Sequence, residues 1–490
     1  MSDAVADLQP PSLWKHFAAI TALPRSSRNE VAITRYVTEV ATRAGCQVKR
    51  DRTGNLLIKC RATPGLETAP SVCLQGHLGL LGERSPVESD GGSEQLRLQR
   101  EGNLLRASRA GADNGIAVAA MLALIEDPSK AHGPLECLLT LDEESALNSA
   151  KTLDSSLIES RLLINIGSEQ EGALYIGRSG ARDTLGKWKP LWEEVGDKHP
   201  AGMLRVKGLR GGYAGVDIDK HRGHAIKILA RLLLPLHEKG VRIASIDGGG
   251  RRNAVPREAE ALLFVPPKRM DEILSWIENA RAGLMAEFAE TDPDLQVEWA
   301  ALGLRKGKVL KRVQIRRILH VINAMPQGVL RMSREFEGLV HTSTSLFGVS
   351  TARKLLTLAT SQRSASPLEL DALVGSVASL LDIGGAEIQQ NAASRAFCPN
   401  RESELLHLAE ATFEKVYHRK PEVRATHAGL DCGLIGDGAS EIDMLSFGPT
   451  VQNPHSSDEG LDIASVSQFW DYLGEMVRSV GERHRYTQLH

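Results

Sequence analysis

Three apolar runs, "SVCLQGHLGL" (71–80), "LECLLTL" (135–141) and "RLLINIG" (161–167), flank the helix-length apolar segment "GIAVAAMLALIED" (115–127). Runs this short, with little polar alternation, read as strands buried on both faces, and such strands need helices to cover them. The order predicts an α/β domain whose partly parallel, mixed sheet is covered by helices on both sides. Upstream, "SLWKHFAAIT" and "NEVAITRYVTEVATRAG" carry helical periodicity, and "CQVKRDRTGNLLIKC" reads as strand. A short helix is expected after "LECLLTL".

The pattern changes near residue 186. From "GMLRVKGL" onward the order is strand, helix (218–239), two strands within "VRIASIDGGGRRNAVPREAEALLFVPP", a long helix (268–290) and the strand "LQVEWAAL". That is β-α-β-β-α-β, the ferredoxin-like order, and further strands and the helix "SPLELDALVGSVASLLD" extend it. From "SELLHLAEATFEKVYH" the chain returns to helix–strand alternation and closes on the helix "SVSQFWDYLGEMVRSV". At 490 residues it exceeds one ordinary core. The economical reading is one α/β domain, residues 1–185 and 393–490, interrupted by an inserted α+β domain, residues 186–392.

Composition narrows the class. Lys plus Arg is 59 and Asp plus Glu 61, a formal net charge of -2, which argues against a nucleic-acid or membrane-surface protein. The basic stretch "RKGKVLKRVQIRR" (305–317) reads as a solvated helix face, and aromatic content of 4% offers no base-stacking platform. No apolar run is long enough to span a membrane, and "MSDAVADLQPPSLWKHF" has neither a basic leader nor an apolar signal core. The six cysteines (46, 60, 73, 137, 398, 432) form no C-x-x-C pair. Several sit in strand-like runs as small hydrophobes, and a reducing cytoplasm is the expected setting.

Four stretches place an acid or histidine just beyond an apolar element: "QGHLG" with His77, "GADNG" with Asp113, "LLTLDEES" with Glu143 and Glu144, and "PHSSDE" with His455. In an α/β sheet the strand carboxyl ends line one crevice, where ligands bind. Imidazole and carboxylate together suit a divalent ion such as Zn²⁺. Each residue has a structural alternative: His77 a hydrogen-bonded strand end, Asp113 a helix N-cap, the glutamates turn acids, His455 an exposed loop histidine. Two adjacent glutamates after a buried strand also suit a division of labour, one ligating metal while the other moves protons.

Six ordered motifs, "GADNGIAVA", "HGPLECLLTLDEE", "INIGSEQEG", "RRNAVPREA", "HAGLDCG" and "FGPTVQNPHSSDE", resemble the bacterial aminoacyl-histidine dipeptidases, also called cytosol non-specific dipeptidases. These belong to the zinc-dependent aminoacylase and carboxypeptidase superfamily, and the resemblance runs from "PSLWKHF" to the final helix. It implies a two-metal dipeptide hydrolase with a mixed-sheet catalytic domain and an inserted lid and dimerisation domain. Asp113 matches the carboxylate that bridges the metals, Glu144 and His455 the other ligands of one metal, and His77 a ligand of the second. Glu143 matches the general base. Arg363 in "SQRSAS", with Asn253 and His427, matches positions that hold the substrate's carboxylate or carbonyl.

Three departures stand against that pattern. The family reads His-x-Asp where this chain has His77, Leu78 and Gly79, so the acid that orients the imidazole is missing. It has Asp-Ser-Glu where this chain has Gly167, Ser168 and Glu169, which removes a ligand of the second metal. Its lid motif Gly-Gly-His-Ser-Gly is here "GGYAG", with Tyr213 in place of a histidine that reaches across the dimer. Losing an orienting partner costs about 10–100-fold in affinity or activity, and losing an oxyanion donor about 10²–10³ in turnover. Two readings follow: a metal-dependent dipeptidase, holding one zinc rather than two or altered in specificity, or a catalytically degenerate homologue that binds peptide or a partner as a homodimer through its inserted domain.

Overall fold

The computed structural model describes residues 3–23, 29–79, 98–107, 114–141, 153, 157–391, 394, 396–427, 442–453 and 459–487. The chain divides into two compact units, Met1–Arg178 with Phe397–Ala425 and Leu430–His490, and Ser179–Ala396 with Thr426–Gly429.

The first unit is built on a mixed eight-stranded sheet. Its order is β1 (Gln47–Arg50), β2 (Leu56–Cys60), β6 (Leu135–Thr140), β3 (Val72–His77), β7 (Leu162–Asn165), β21 (Asp443–Ser446), β8 (Ala173–Arg178) and β20 (Glu422–Thr426). Every residue of β3 and β6 is buried, as their unbroken apolar character requires. The central strands β6, β3, β7 and β21 run parallel, while β1, β2 and β6 pair antiparallel. Helix α1 (Pro11–Thr21) and α2 (Val31–Arg43) pack with α3 (Gly115–Glu126), which is buried from Gly115 to Leu124. A smaller sheet joins β22 (Val451–Gln452), β23 (Gly460–Asp462), β5 (Leu104–Ala107) and β4 (Leu98–Glu101).

The second unit is a nine-stranded sheet. Its order is β15 (Gln296–Leu310), β10 (Trp192–Lys207), β14 (Ala259–Phe264), β12 (Arg242–Gly249), β17 (Val340–Thr351), β18 (Leu356–Ser364), β9 (Gly180–Trp188) and β19 (Glu387–Gln390), with β16 (Gly328–Met332) paired to β17. A separate ribbon pairs β11 (Gly212–Tyr213) with β13 (Ala254–Val255). Helices α4 (Ala225–Glu238) and α5 (Met270–Glu287) connect β10, β12, β14 and β15, whose antiparallel order β15-β10-β14-β12 is that of a ferredoxin-like fold. Leu204, Leu229, Leu233, Ile243, Leu263, Leu346 and Leu358 belong to one core, joined by Ile318 of α6 (Arg312–Ala324) and Leu381 of α7 (Pro367–Ile383). The closing segment of the chain adds α8 (Glu404–Tyr417) and α9 (Ile463–Thr487), packed on each other in the first unit. No helix among the described residues is long and apolar enough to cross a membrane.

Two expectations are corrected. "CQVKRDRTGNLLIKC" is not one strand but a hairpin: Asp51 Oδ1 accepts from the amides of Thr53, Gly54 and Asn55, and Gly54 sits at φ 103°, so the chain reverses. That reversal brings Cys46 and Cys60, one step beyond the Gln47–Lys59 pair, to a Cα separation of 4.5 Å, where they form a disulfide. These two are therefore not small hydrophobes. Cys73 and Cys137 are, and burial pushes the Cys137 thiol up to about 12. The short helix expected after "LECLLTL" lies outside the described residues.

Lys227 of α4 closes the carboxyl end of α6, its Nζ donating to the carbonyls of Ile322, Asn323 and Met325 at 2.7–2.8 Å. Burial pulls the ammonium down to about 8, so it remains charged at neutral pH. Lys227→Met is expected to cost about 2–3 kcal/mol of unfolding free energy, since three carbonyls lose a charged donor. Urea denaturation followed by circular dichroism checks this.

Candidate functional site

In the first unit the parallel strands end at one level: His77 of β3 pairs with Thr140 of β6, and Asn165 of β7 pairs with Gln75 of β3 and Ser446 of β21. A buried polar chain holds them there. Asn165 Nδ2 donates to Gln75 Oε1, while its Oδ1 accepts from Ser446 Oγ at 2.6 Å and from the amide of Gly167 at 3.2 Å. His77 is buried at this edge. Its Nδ1 lies 3.0 Å from the carbonyl oxygen of Gly79. A carbonyl only accepts, so Nδ1 carries a proton and donates to it. Gly79, which lacks the orienting acid, thus orients the imidazole through its own backbone.

Gly167 has no side chain, and the space beside it is occupied. An added Cβ there would lie 2.9 Å from Asn114 Oδ1 and 3.0 Å from Asn114 Nδ2, and at Gly76 it would lie 3.1 Å from the same Oδ1. The Asn114 carboxamide is therefore packed between two glycines, and its Oδ1 accepts from the backbone amide of His77 at 3.0 Å. Asn114, at φ 48°, also occupies the N-cap position of α3, the role that sequence allowed to Asp113. Asp113, Glu143, Glu144 and His455 lie outside the described residues. Among the described residues no group of three or more His, Cys, Asp or Glu converges as a metal site. Of the residues that would hold zinc, His77 fits in kind: it is an imidazole at a strand end whose Nδ1 is held by a backbone carbonyl. Position 167 does not fit, because it has no donor and its space is filled.

The second unit gathers the other candidates. His427 is buried between two serines, with Nδ1 2.8 Å from Ser179 Oγ and Nε2 2.6 Å from Ser343 Oγ. Burial, with the Arg363 guanidinium nearby, pulls its pKa down to about 3. The ring is neutral, so one serine donates to it and the other accepts. Arg363 of β18 donates from Nη1 to the His427 carbonyl at 3.1 Å and from Nη2 to Asn253 Oδ1 at 2.8 Å. Asn253 is held at φ 66° beside Ala254, the pairing partner of Tyr213. Tyr213 is 38% exposed, and its amide donates to Asp217 Oδ2. Sequence reasoning had not singled out Asn114, Ser179 or Ser343. No local signal marks them, because their roles arise from close approach between distant segments.

The family model for a peptidase dimerisation domain matches residues 204–292. The cytosol non-specific dipeptidase of Escherichia coli K12 is 32% identical over 484 residues, 97% of this chain and 99% of that one. The crystal structure of aminoacylhistidine dipeptidase from Vibrio alginolyticus matches with a TM-score of 0.79 and 32% identity, covering 97% of both chains. Aminopeptidase PepT from Bacillus cereus, at 15% identity, a TM-score of 0.55 and coverage of 96% and 99%, shares the fold. Likeness at this level across nearly the whole of both chains settles ancestry: the chain belongs to the cytosol non-specific (aminoacylhistidine) dipeptidase family of metallopeptidases.

Two predictions arise here. In the unfolded chain His427 takes up a proton near the ordinary 6.5, whereas in the folded chain it does so only near about 3. Its stabilising contribution is complete above pH 6.5 and is lost as pH falls through that window, about 2 kcal/mol by pH 5. Urea midpoints at pH 7.5 and 5 should show the loss, and His427→Asn should flatten it. Separately, Gly167→Ala should destabilise by about 1–2 kcal/mol through overpacking against Asn114. Asn114→Gly, which suits the left-handed backbone, should relieve that cost. A double-mutant cycle giving additive changes would contradict the contact.

Proposed function

We propose that this protein is a metal-dependent dipeptide hydrolase of the cytoplasm, working with one zinc per chain and as a homodimer through its second unit. The observation that carries the single-ion reading is the packing of Asn114 over Gly167, which leaves the second position without a donor. Asp113, Glu144 and His455 would hold the ion, three donors leaving an open position, with His77 near the edge of the same strands. Bound zinc would supply Lewis acidity and a water of lowered pKa. Glu143 takes the proton from the attacking water and passes it to the leaving amine. Arg363, braced by Asn253 and the His427 carbonyl, receives the substrate carboxylate with a fixed guanidinium. Tyr213, with an exposed phenol, offers a hydrogen-bond donor where its relatives' motif has histidine.

Support for hydrolysis comes from the family membership, the orientation of His77 by the Gly79 carbonyl and the intact Glu143–Glu144 pair. The second reading, a degenerate homologue that binds peptide without cleaving it, is favoured by the same filled space at Gly167. Elemental analysis of the purified protein should find about one divalent ion per chain. Two ions at comparable occupancy would end the single-ion reading. Glu143→Gln should abolish cleavage of a dipeptide panel while metal content stays the same. Wild-type protein that carries its ion, binds dipeptides and cleaves none would establish the second reading.

A further inference from the structure

Strand β15 closes one side of the second unit's sheet: β10 pairs with one of its edges, and among the described residues no strand lies along the other. It lies beyond residues 204–292, the stretch matched by the dimerisation-domain model. Its pairing with β10 is interrupted once within Gln296–Arg305. Ala301 faces Gly202 and Gly303 faces Ala201, so Leu302 is an extra residue, and Gly303 takes φ 76°, the left-handed backbone of a bulge. The bulge resets the alternation of side chains. Trp299 faces Leu204 and Leu304 faces Pro200, which places both on the side of the sheet where Leu204 joins Ile273 and Ile277 of α5 in the core. Glu298 faces Arg205 and Arg305 faces His199, on the other side. Between α5 and β15 lies an open groove of about 710 Å³, walled by Leu274, Ile277, Met285, Val297 and Trp299. Leu304, beyond the bulge, is 63% exposed. One strand edge thus carries an apolar groove and an apolar projection.

Charges and bulges usually protect an edge strand from indiscriminate pairing. Here the charges are segregated: Glu298 stands before the bulge, and Arg305, Lys306 and Lys308 stand after it. We infer that β15 is the seam of a symmetric homodimer, paired antiparallel with β15 of a second copy about a two-fold axis between Ala301 and Leu302. The inference rests on the homodimer reading above and adds where the copies meet. In this register Glu298 faces the second copy's Arg305, and Trp299 faces its Leu304. Each pair falls on one face of the joined sheet, because the bulge gives both members the same side. Leu304 of each copy enters the other's groove, so the contact is made twice, as two-fold symmetry requires. Glu298 already pairs with Lys207 Nζ at 2.9 Å, which holds its carboxylate on the face that Arg305 reaches. Other alignments lose these matches. Parallel pairing in register sets Arg305 against Arg305, and a shift of one residue carries Leu304 to the face opposite Trp299.

The test is sedimentation equilibrium of the full-length protein over a dilution series, reading particle mass against the 53.2 kDa chain. Wild type is expected to be a dimer that dissociates on dilution. Leu304→Asp should weaken it about 100-fold or more, because a charge enters an apolar groove twice per dimer. Glu298→Arg and Arg305→Glu should each weaken it about 10-fold by setting like charges across the seam, and the two together in one chain should recover most of that loss. Circular dichroism checks that each variant is folded; if Leu304→Asp is not, the charge-reversal cycle decides. A wild-type monomer at every concentration would overturn the homodimer reading and the seam with it. A wild-type dimer untouched by Leu304→Asp and by both reversals would overturn the seam alone and leave the copies to meet elsewhere. Weakening by each reversal without recovery in the pair would overturn the register.

Discussion

The side chain of Asn165, buried at the end of β7, links β3 through Gln75 and β21 through Ser446, and its Oδ1 also takes the amide of Gly167. In a low-dielectric interior a polar group of this kind is costly unless every bond is made, and fully made it permits little displacement. Three parallel strands are thereby brought to a common end. His77, Gly167 and the start of α3 take their positions from that edge. Any shift of one strand would break buried hydrogen bonds as well as packing, so the edge is rigid before a ligand or ion arrives.

The departures from the family pattern are accommodated in different ways. At Gly79, whose side chain offers no acceptor, the backbone carbonyl takes the proton of His77 Nδ1. The bond is neutral where a carboxylate would make it charge-assisted, and charge-assisted bonds are roughly twice as strong. The carbonyl orients the ring through Nδ1 without the charge that a carboxylate would bring. At Gly167 the space beside the backbone is occupied. The carboxamide of Asn114 lies against both glycines and bonds to the His77 amide, so reintroducing a side chain there has to move a group that already has a structural task. The two positions differ physically: at 79 a backbone carbonyl meets the imidazole, and at 167 the space is taken by Asn114.

In the second unit Arg363 is braced by the carbonyl of a histidine that burial keeps from charging. His427, enclosed by Ser179 and Ser343, stays neutral and lends its carbonyl to Arg363. A protonated ring there would place a second cation beside the guanidinium without water to screen it, and burial prevents that. Arg363 is left with two of its nitrogens bound to protein and Nε unpaired. An arginine held at two nitrogens has little rotamer freedom left.

Much of the fold is written in the order of its residues. Unbroken apolar runs can only be interior strands, the apolar segment after Asn114 can only be a covered helix, and β-α-β-β-α-β order limits the second unit to few sheet arrangements. The family motifs around His77, the two glutamates and "PHSSDE" are equally local, as is the absence of an acid at 79 and 167. What sequence leaves open is whatever depends on register and close approach. Cys46 meets Cys60 because a turn at Asp51 reverses the chain. Asn114 fills the place beside Gly167 because the helix start docks on the ends of β3 and β7. Asp183, Ser345 and Ser361, separated by well over a hundred residues at the extremes, form a row because three strands pair one after another. Periodicity along a chain states which face a side chain occupies, whereas which distant residue stands opposite it is decided by strand pairing in the folded protein.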